Sequence, residues 1–237
     1  MEPVQIARRL RDEVAGLRFA PPVAYVYNPL EYAWAAHREY LTRYGTGRPP
    51  VLLVGMNPGP FGMVQTGVPF GDAELVRDWF GIGAPIGRPT REHPKRPVAG
   101  LACQRREVSG QRLWGWARAA FGTPERFFAR FFVANYCPLA FVEASGRNRT
   151  PDKLPRAERA PLFAACDRAL HATVAVLRPE HVVGIGRFAA ERAAEALRGM
   201  PVKLGVVPHP SPASPAANRD WDGQMRRALA ALGVHPR

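Results

Sequence analysis

The sequence predicts an α/β fold: one domain over residues 1–237, with a central four-stranded, mostly parallel sheet flanked by helices. Three observations predict it. Four short apolar-rich runs (Val51–Val54, Phe131–Ala134, His181–Ile185 and Lys203–Val207) are bounded by turn residues, as strands of a covered sheet are. Helical patterning lies between them, the alternation that makes neighbouring strands parallel. And 237 residues, 46% of them hydrophobic, supply one substantial core with no linker-like stretch to divide it.

Taken in order, Val4, Ile6, Leu10, Val14 and Leu17 recur at helical spacing and predict a helix within residues 4–20. A second is expected over residues 30–44, until Gly45-Thr-Gly-Arg-Pro-Pro breaks it. The first strand, Val51–Val54, runs into a Gly/Pro-rich loop from Gly55 to Gly71, and helical patterning resumes over Ala73–Phe80. Arg88–Arg112 reads as a long surface loop with seven basic and two acidic residues. Residues 111–120 pattern as a helix, followed by the strand Phe131–Ala134 and a long helix within Leu154–Arg178 after Pro155. The strands His181–Ile185 and Lys203–Val207 are each followed by a helix, Arg187–Arg198 and Ala216–Leu232.

Lys and Arg total 33 against 20 Asp and Glu, a formal net charge of +13, and only Lys95, Lys153 and Lys203 are lysines. Such a surplus favours a polyanionic partner, nucleic acid before membrane, and the planar guanidinium suits phosphate. Cys103, Cys137 and Cys166 are odd in number and widely spaced. Neither a disulfide framework nor a metal site is supported, and no cofactor is called for. The N-terminus has no apolar run of signal-peptide length, and no stretch looks close to the ~20 apolar residues of a membrane span. A soluble, cytoplasmic, monomeric protein is expected.

Ligands of open parallel sheets collect beyond the carboxyl ends of the strands. Three of those four positions carry unusual polar residues. Gly55-Met-Asn-Pro-Gly-Pro-Phe-Gly-Met63, ending in Val68-Pro-Phe-Gly71, holds Asn57 in a rigid frame and lacks both GxxxxGK[ST] and GxGxxG. Asn135-Tyr-Cys-Pro-Leu139 offers an amide, whose acceptor and donors suit an imide edge such as that of uracil. His209, in Val207-Pro-His-Pro-Ser-Pro212, is restrained by flanking prolines. Taken singly, each has a plain structural reading as well: a turn cap, a buried tie, a packed histidine.

Together these segments resemble the uracil-DNA glycosylase superfamily, and within it the single-strand-selective monofunctional branch. GMNPGPFGM, QTGVPFG, EHPKRPV, EVSG, NYCPL, SGRN, VVGIGR and HPSP follow in order from about Val51 to Pro212. The resemblance implies the three-layer fold of that superfamily. It also implies hydrolysis of the bond between uracil, or a 5-modified uracil such as 5-hydroxymethyluracil, and deoxyribose in single- or double-stranded DNA, leaving an abasic site. By motif position Asn57 holds the attacking water and His209 donates to the departing base, with help from the Met56 N–H. Asn135 reads the base edge, Phe70 stacks on it, Met63 lines the pocket, and Gly59 leaves room at C5.

A DNA wedge is expected after the HPSP motif. Pro210, Ser211 and Pro212 would lead into Ala213, where family members usually carry Arg, and then Ser214, so weaker activity on duplexes is expected, or compensation by Arg219 or another loop. Lys95, Arg96 and the other basic residues of Arg88–Arg112 and Arg147–Arg159 would hold phosphates. The alternative is a catalytically weak or inactive nucleic-acid-binding domain that retains the fold.

Overall fold

The computed structural model describes residues 2–213 and 217–235. Four parallel strands form the central sheet: β2 (Val51–Gly55), β3 (Phe131–Asn135), β6 (His181–Ile185) and β7 (Lys203–Val207), in the order β3-β2-β6-β7. Val51 is level with both Phe131 and His181, and His181 with Lys203, so the carboxyl ends finish together. The order changes direction at β2, which makes its carboxyl end the topological switch point where such sheets bind ligands.

The helices form a layer on each face. α9 (Arg187–Ala196) lies on β6 and β7 and packs against α8 (Arg156–Leu177), which packs in turn against α1 (Pro3–Ala15). On the other face α10 (Ala217–Ala231) touches β7 and α6 (Val108–Phe121). Two glycines set these distances. A Cβ at Gly184 would strike the Ala190 backbone of α9, and one at Gly205 would strike Leu232 just beyond α10. Close helix–strand approach therefore accounts for Gly184. Beside β3, Tyr44 stacks on Phe128 at 4.2 Å and Phe127 on Phe131 at 5.3 Å, and the Tyr40 hydroxyl donates to the Val133 carbonyl.

The structure adds elements that periodicity did not predict. β1 (Val23–Tyr27), β4 (Ala140–Glu143) and β5 (Asn148–Arg149) make a second, antiparallel sheet in the order β1-β4-β5. α7 (Pro124–Phe128) is a short helix capped by Thr123. The helix expected over residues 30–44 is two, α2 (Pro29–Tyr32) and α3 (Trp34–Tyr44), separated by the non-helical backbone of Ala33. One-turn α4 (Met63–Thr66) interrupts the Gly/Pro loop, α5 (Ala73–Asp78) follows it, and α6 begins inside the expected basic loop.

One expectation needs correcting. α8, at 22 residues, is long and apolar enough on average to cross a membrane. It carries Asp167 and Arg168 at its middle, however, and buries Leu162, Ala165, Cys166, Leu170, Val174 and Leu177 within the core.

Candidate active site

The segments after β2, β3 and β7 converge at the carboxyl rim of the sheet, and each brings one polar side chain. Backbone bonds extend the ladder past the strands: Tyr136 N–H donates to the Gly55 carbonyl and Cys137 N–H to the Met56 carbonyl, both at 2.9 Å. The Asn57 and Asn135 loops are thereby fixed side by side. The Asn57 amide nitrogen donates to the Leu139 carbonyl at 3.1 Å. That bond commits the nitrogen and orients the amide, leaving its oxygen as an acceptor for a water.

Asn135 and Phe70 meet above Gly55. A Cβ on Gly55 would lie 2.5 Å from the Phe70 ring and nearer still to Asn135 Oδ1, so only glycine fits beneath the pair. The Asn135 nitrogen donates to Met63 Sδ at 3.2 Å, a soft acceptor, while its buried oxygen has no partner. An orphaned buried acceptor costs about 1–3 kcal/mol, so an incoming N–H donor is favoured there. Phe70 holds a left-handed backbone with φ of 56°, uncommon for a residue with a side chain. Its neighbours enforce that shape. Trp114 donates to the Pro69 carbonyl, and a Cβ on Gly110 would collide with the Phe70 carbonyl.

The His209 ring centroid is 6.2 Å from that of Phe70. Its Nδ1 accepts from the Ser211 backbone N–H at 3.1 Å, which assigns the proton to Nε2. Burial lowers its pKa below the usual histidine value, so near neutral pH the ring is an uncharged Nε2–H donor. Gly186, at φ of 88°, packs under the ring, where a Cβ would come within 3.1 Å of the His209 Cβ.

Glu107 was not singled out in the sequence. It starts α6 and lies against the Asn57 loop; its burial raises the carboxyl pKa. A Cβ on Gly59 would lie 2.5 Å from its Oε2. The missing side chain at Gly59 therefore makes way for the Glu107 carboxyl group. No spacing rule links residues 59 and 107, so only the fold reveals the contact.

Several expected phosphate-binding cations also make contacts within the protein. Arg96 donates to the Gly146 carbonyl at 2.9 Å and lies over the Phe61 ring, and Arg106 pairs with Asp72 and Glu74. Arg149 pairs with Glu143, and Arg159 donates to the Asp152 carbonyl. Lys95, Arg105 and Arg219 are exposed. Pro210 is buried and Ser211 half-buried, whereas Pro212 and Ala213 are exposed; Ser214 lies outside the described residues. Among the described residues no cluster of three or more His, Cys, Asp or Glu side chains could hold a metal ion.

The uracil DNA glycosylase superfamily matches residues 42–233. A single-strand selective monofunctional uracil DNA glycosylase of Mus musculus is 50% identical over 96% of this chain and 82% of its own length. Its counterparts in Rattus norvegicus and Bos taurus are each 51% identical over 96% of this chain, covering 83% and 85% of theirs. The crystal structure of wild-type Pedobacter heparinus SMUG2 shares the fold with a TM-score of 0.66 at 16% identity, over 96% of this chain and 97% of that one. With the family match spanning most of its length and half of its residues shared with these relatives, this chain belongs to the uracil DNA glycosylase superfamily.

Proposed function

We propose that this protein hydrolyses the N-glycosidic bond of uracil and 5-modified uracils in single- and double-stranded DNA, leaving an abasic site. The observation that carries the reading is the Asn135 amide, with an unpartnered buried oxygen and a nitrogen engaged only by a thioether. A uracil edge presents N3–H to the oxygen and O4 to the nitrogen. Cytosine presents the reverse polarity and would leave buried groups unpaired, which discriminates strongly. 5-Hydroxymethyluracil keeps the same imide edge, which is the support for including it.

The base leaves as an anion while the sugar gains oxocarbenium character. His209, neutral and held by Ser211, presents Nε2–H to the developing charge at uracil O2. A preorganised donor of this kind contributes ~2.7–4 kcal/mol. Phe70 stacks on the base. Asn57, oriented by Leu139, holds the water that attacks the sugar. An amide takes up no proton as a carboxylate does, so it forgoes a general-base gain of ~10²–10⁴-fold. The rate then rests on leaving-group stabilisation and positioning. In a duplex the nucleotide must first rotate out of the stack, at a cost of a few kcal/mol. Exposed Lys95, Arg105 and Arg219 are suited to the DNA backbone. The residues of the mechanism all come from this chain, which supports action as a monomer, and we place it in the cytoplasm.

Uracil-containing single- and double-stranded oligonucleotides, followed by hot alkali, test this. Strand breaks that appear only after alkali are expected. Intact strands would overturn the assignment, and breaks without alkali would overturn its monofunctional character.

A further inference from the structure

Prolines at 208, 210 and 212 remove three backbone N–H donors from the His209 loop, and the Ser211 N–H is taken by His209, so the loop's carbonyls are satisfied from elsewhere. They are held by side chains of two helices. Trp221 Nε1 donates to the Pro208 carbonyl at 2.9 Å. Arg112 Nη1, from α6, reaches the Pro210 carbonyl at 3.1 Å and the Ser211 carbonyl at 3.3 Å. Its Nη2 donates to Asn218 Oδ1 at 2.8 Å, and the Asn218 nitrogen donates to the Pro212 carbonyl at 2.9 Å. One guanidinium thus fastens two consecutive carbonyls and, through Asn218, a third.

We infer that Arg112 is a positioning residue that acts through His209. The Pro210–Ser211 peptide is the hinge of the argument: its carbonyl, that of Pro210, is held by Arg112, and its N–H, that of Ser211, is the donor that sets the His209 tautomer. Loss of Arg112 frees the Pro210–Ser211 peptide to rotate. Nδ1 then loses its donor, and the imidazole loses both its fixed direction and its preference for the Nε2–H form. Arg112 belongs to the basic stretch expected to hold phosphates, but three of its donor contacts are already made inside the protein. A fork reaching several acceptors is a guanidinium's geometry, which a lysine ammonium reproduces only in part.

This inference rests on His209 as the donor to the departing base, so both are tested together on a uracil-containing single strand. His209→Ala alone tests the donor assignment; wild-type turnover would sink it without reference to Arg112. If His209→Ala is slow, Arg112→Ala is expected to lower kcat at least tenfold with KM within twofold of wild type. Added to His209→Ala, it should lower kcat by less than twofold. Arg112→Lys should recover part of the loss. Nitrogen NMR of the His209 ring in Arg112→Ala should show the Nε2–H tautomer depleted.

An equal loss in both backgrounds, or wild-type kcat in Arg112→Ala, overturns the inference. So does a rise in KM with a salt slope reduced by about one, the signature of a lost phosphate contact. Should Arg112→Ala fail to fold, Asn218→Ala, at an exposed position with Arg112 retained, carries the same comparison with a smaller expected loss.

Discussion

The backbone N–H of Ser211 points at Nδ1 of His209 at 3.1 Å, so a main-chain group two residues away decides which ring nitrogen faces the substrate. Burial adds a second constraint by disfavouring the imidazolium. The pKa is depressed, so the neutral donor persists from alkaline pH down past the ordinary histidine value of about 6.5. The kcat profile should therefore be flat between pH 8 and 6.5, with any inflection from His209 at lower pH. An inflection at or above 6.5 that His209→Ala abolishes would contradict the assigned state.

Asn57→Ala removes the oriented acceptor and should slow single-turnover excision at least tenfold while leaving binding of abasic product DNA within twofold. Asn57→Asp is a sharper probe. The bond to Leu139 needs a donor, which a carboxylate lacks, so the new side chain must turn away or hold a proton. It should not deliver the ~10²–10⁴-fold gain of a free general base at neutral pH. A hundredfold faster Asp variant would show that the Leu139 carbonyl does not control this side chain.

Gly55→Ala places a methyl group against both Phe70 and Asn135 Oδ1. We expect a loss of about 1–3 kcal/mol in stability from overpacking, read from denaturant melts. Excision should fall at least a hundredfold, because the stacking ring and the edge-reading amide are displaced together. Asn135→Ala, which leaves the ring in place, should cost tenfold or more in kcat/KM on uracil and narrow the preference over cytosine. Wild-type activity in Gly55→Ala would mean that base recognition lies elsewhere.

His37 predicts how stability depends on pH. It is fully buried, its Nδ1–H donates to the Gly67 carbonyl at 2.7 Å, and desolvation lowers its pKa to about 4. The unfolded chain takes up the proton near 6.5, so this group's contribution is complete above pH 6.5 and lost as pH falls toward 4. About 3 kcal/mol is at stake over that window. His37→Asn retains an N–H donor without a titrating ring, and should flatten the plot of unfolding free energy against pH between 6.5 and 4. An unchanged slope would assign the acid sensitivity to other groups.

Strands β2, β3 and β6 were legible because each is a short apolar run between turn residues, a pattern that burial on both faces imposes; β7, at the sheet edge, carries a similar run although Leu204 and Val206 are exposed. The second sheet was not. Val23–Tyr27 carries two tyrosines among its valines and exposes alternate positions irregularly, and its partner β4 is 117 residues further along at Ala140. The polar residues at the rim were legible because the motifs place them directly after strands. Arg112 and Glu107 were not, since each acts on a loop remote in sequence and neither has a local signature. The prolines around His209 do carry a readable signal, because carbonyls without neighbouring donors must be capped from outside. What caps them only the tertiary structure supplies.

The small antiparallel sheet has a reach beyond its size. Leu139, whose carbonyl steers Asn57, immediately precedes β4, and β4 is zipped to β1 through Tyr27 opposite Ala140. Trimming the chain's first thirty residues would strip β4 of that partner, leave it paired with β5 alone, and loosen the hold on the carbonyl. The water-holding amide in the middle of the sequence thus depends on residues near its beginning, just as the imidazole near its end depends on a helix from its middle.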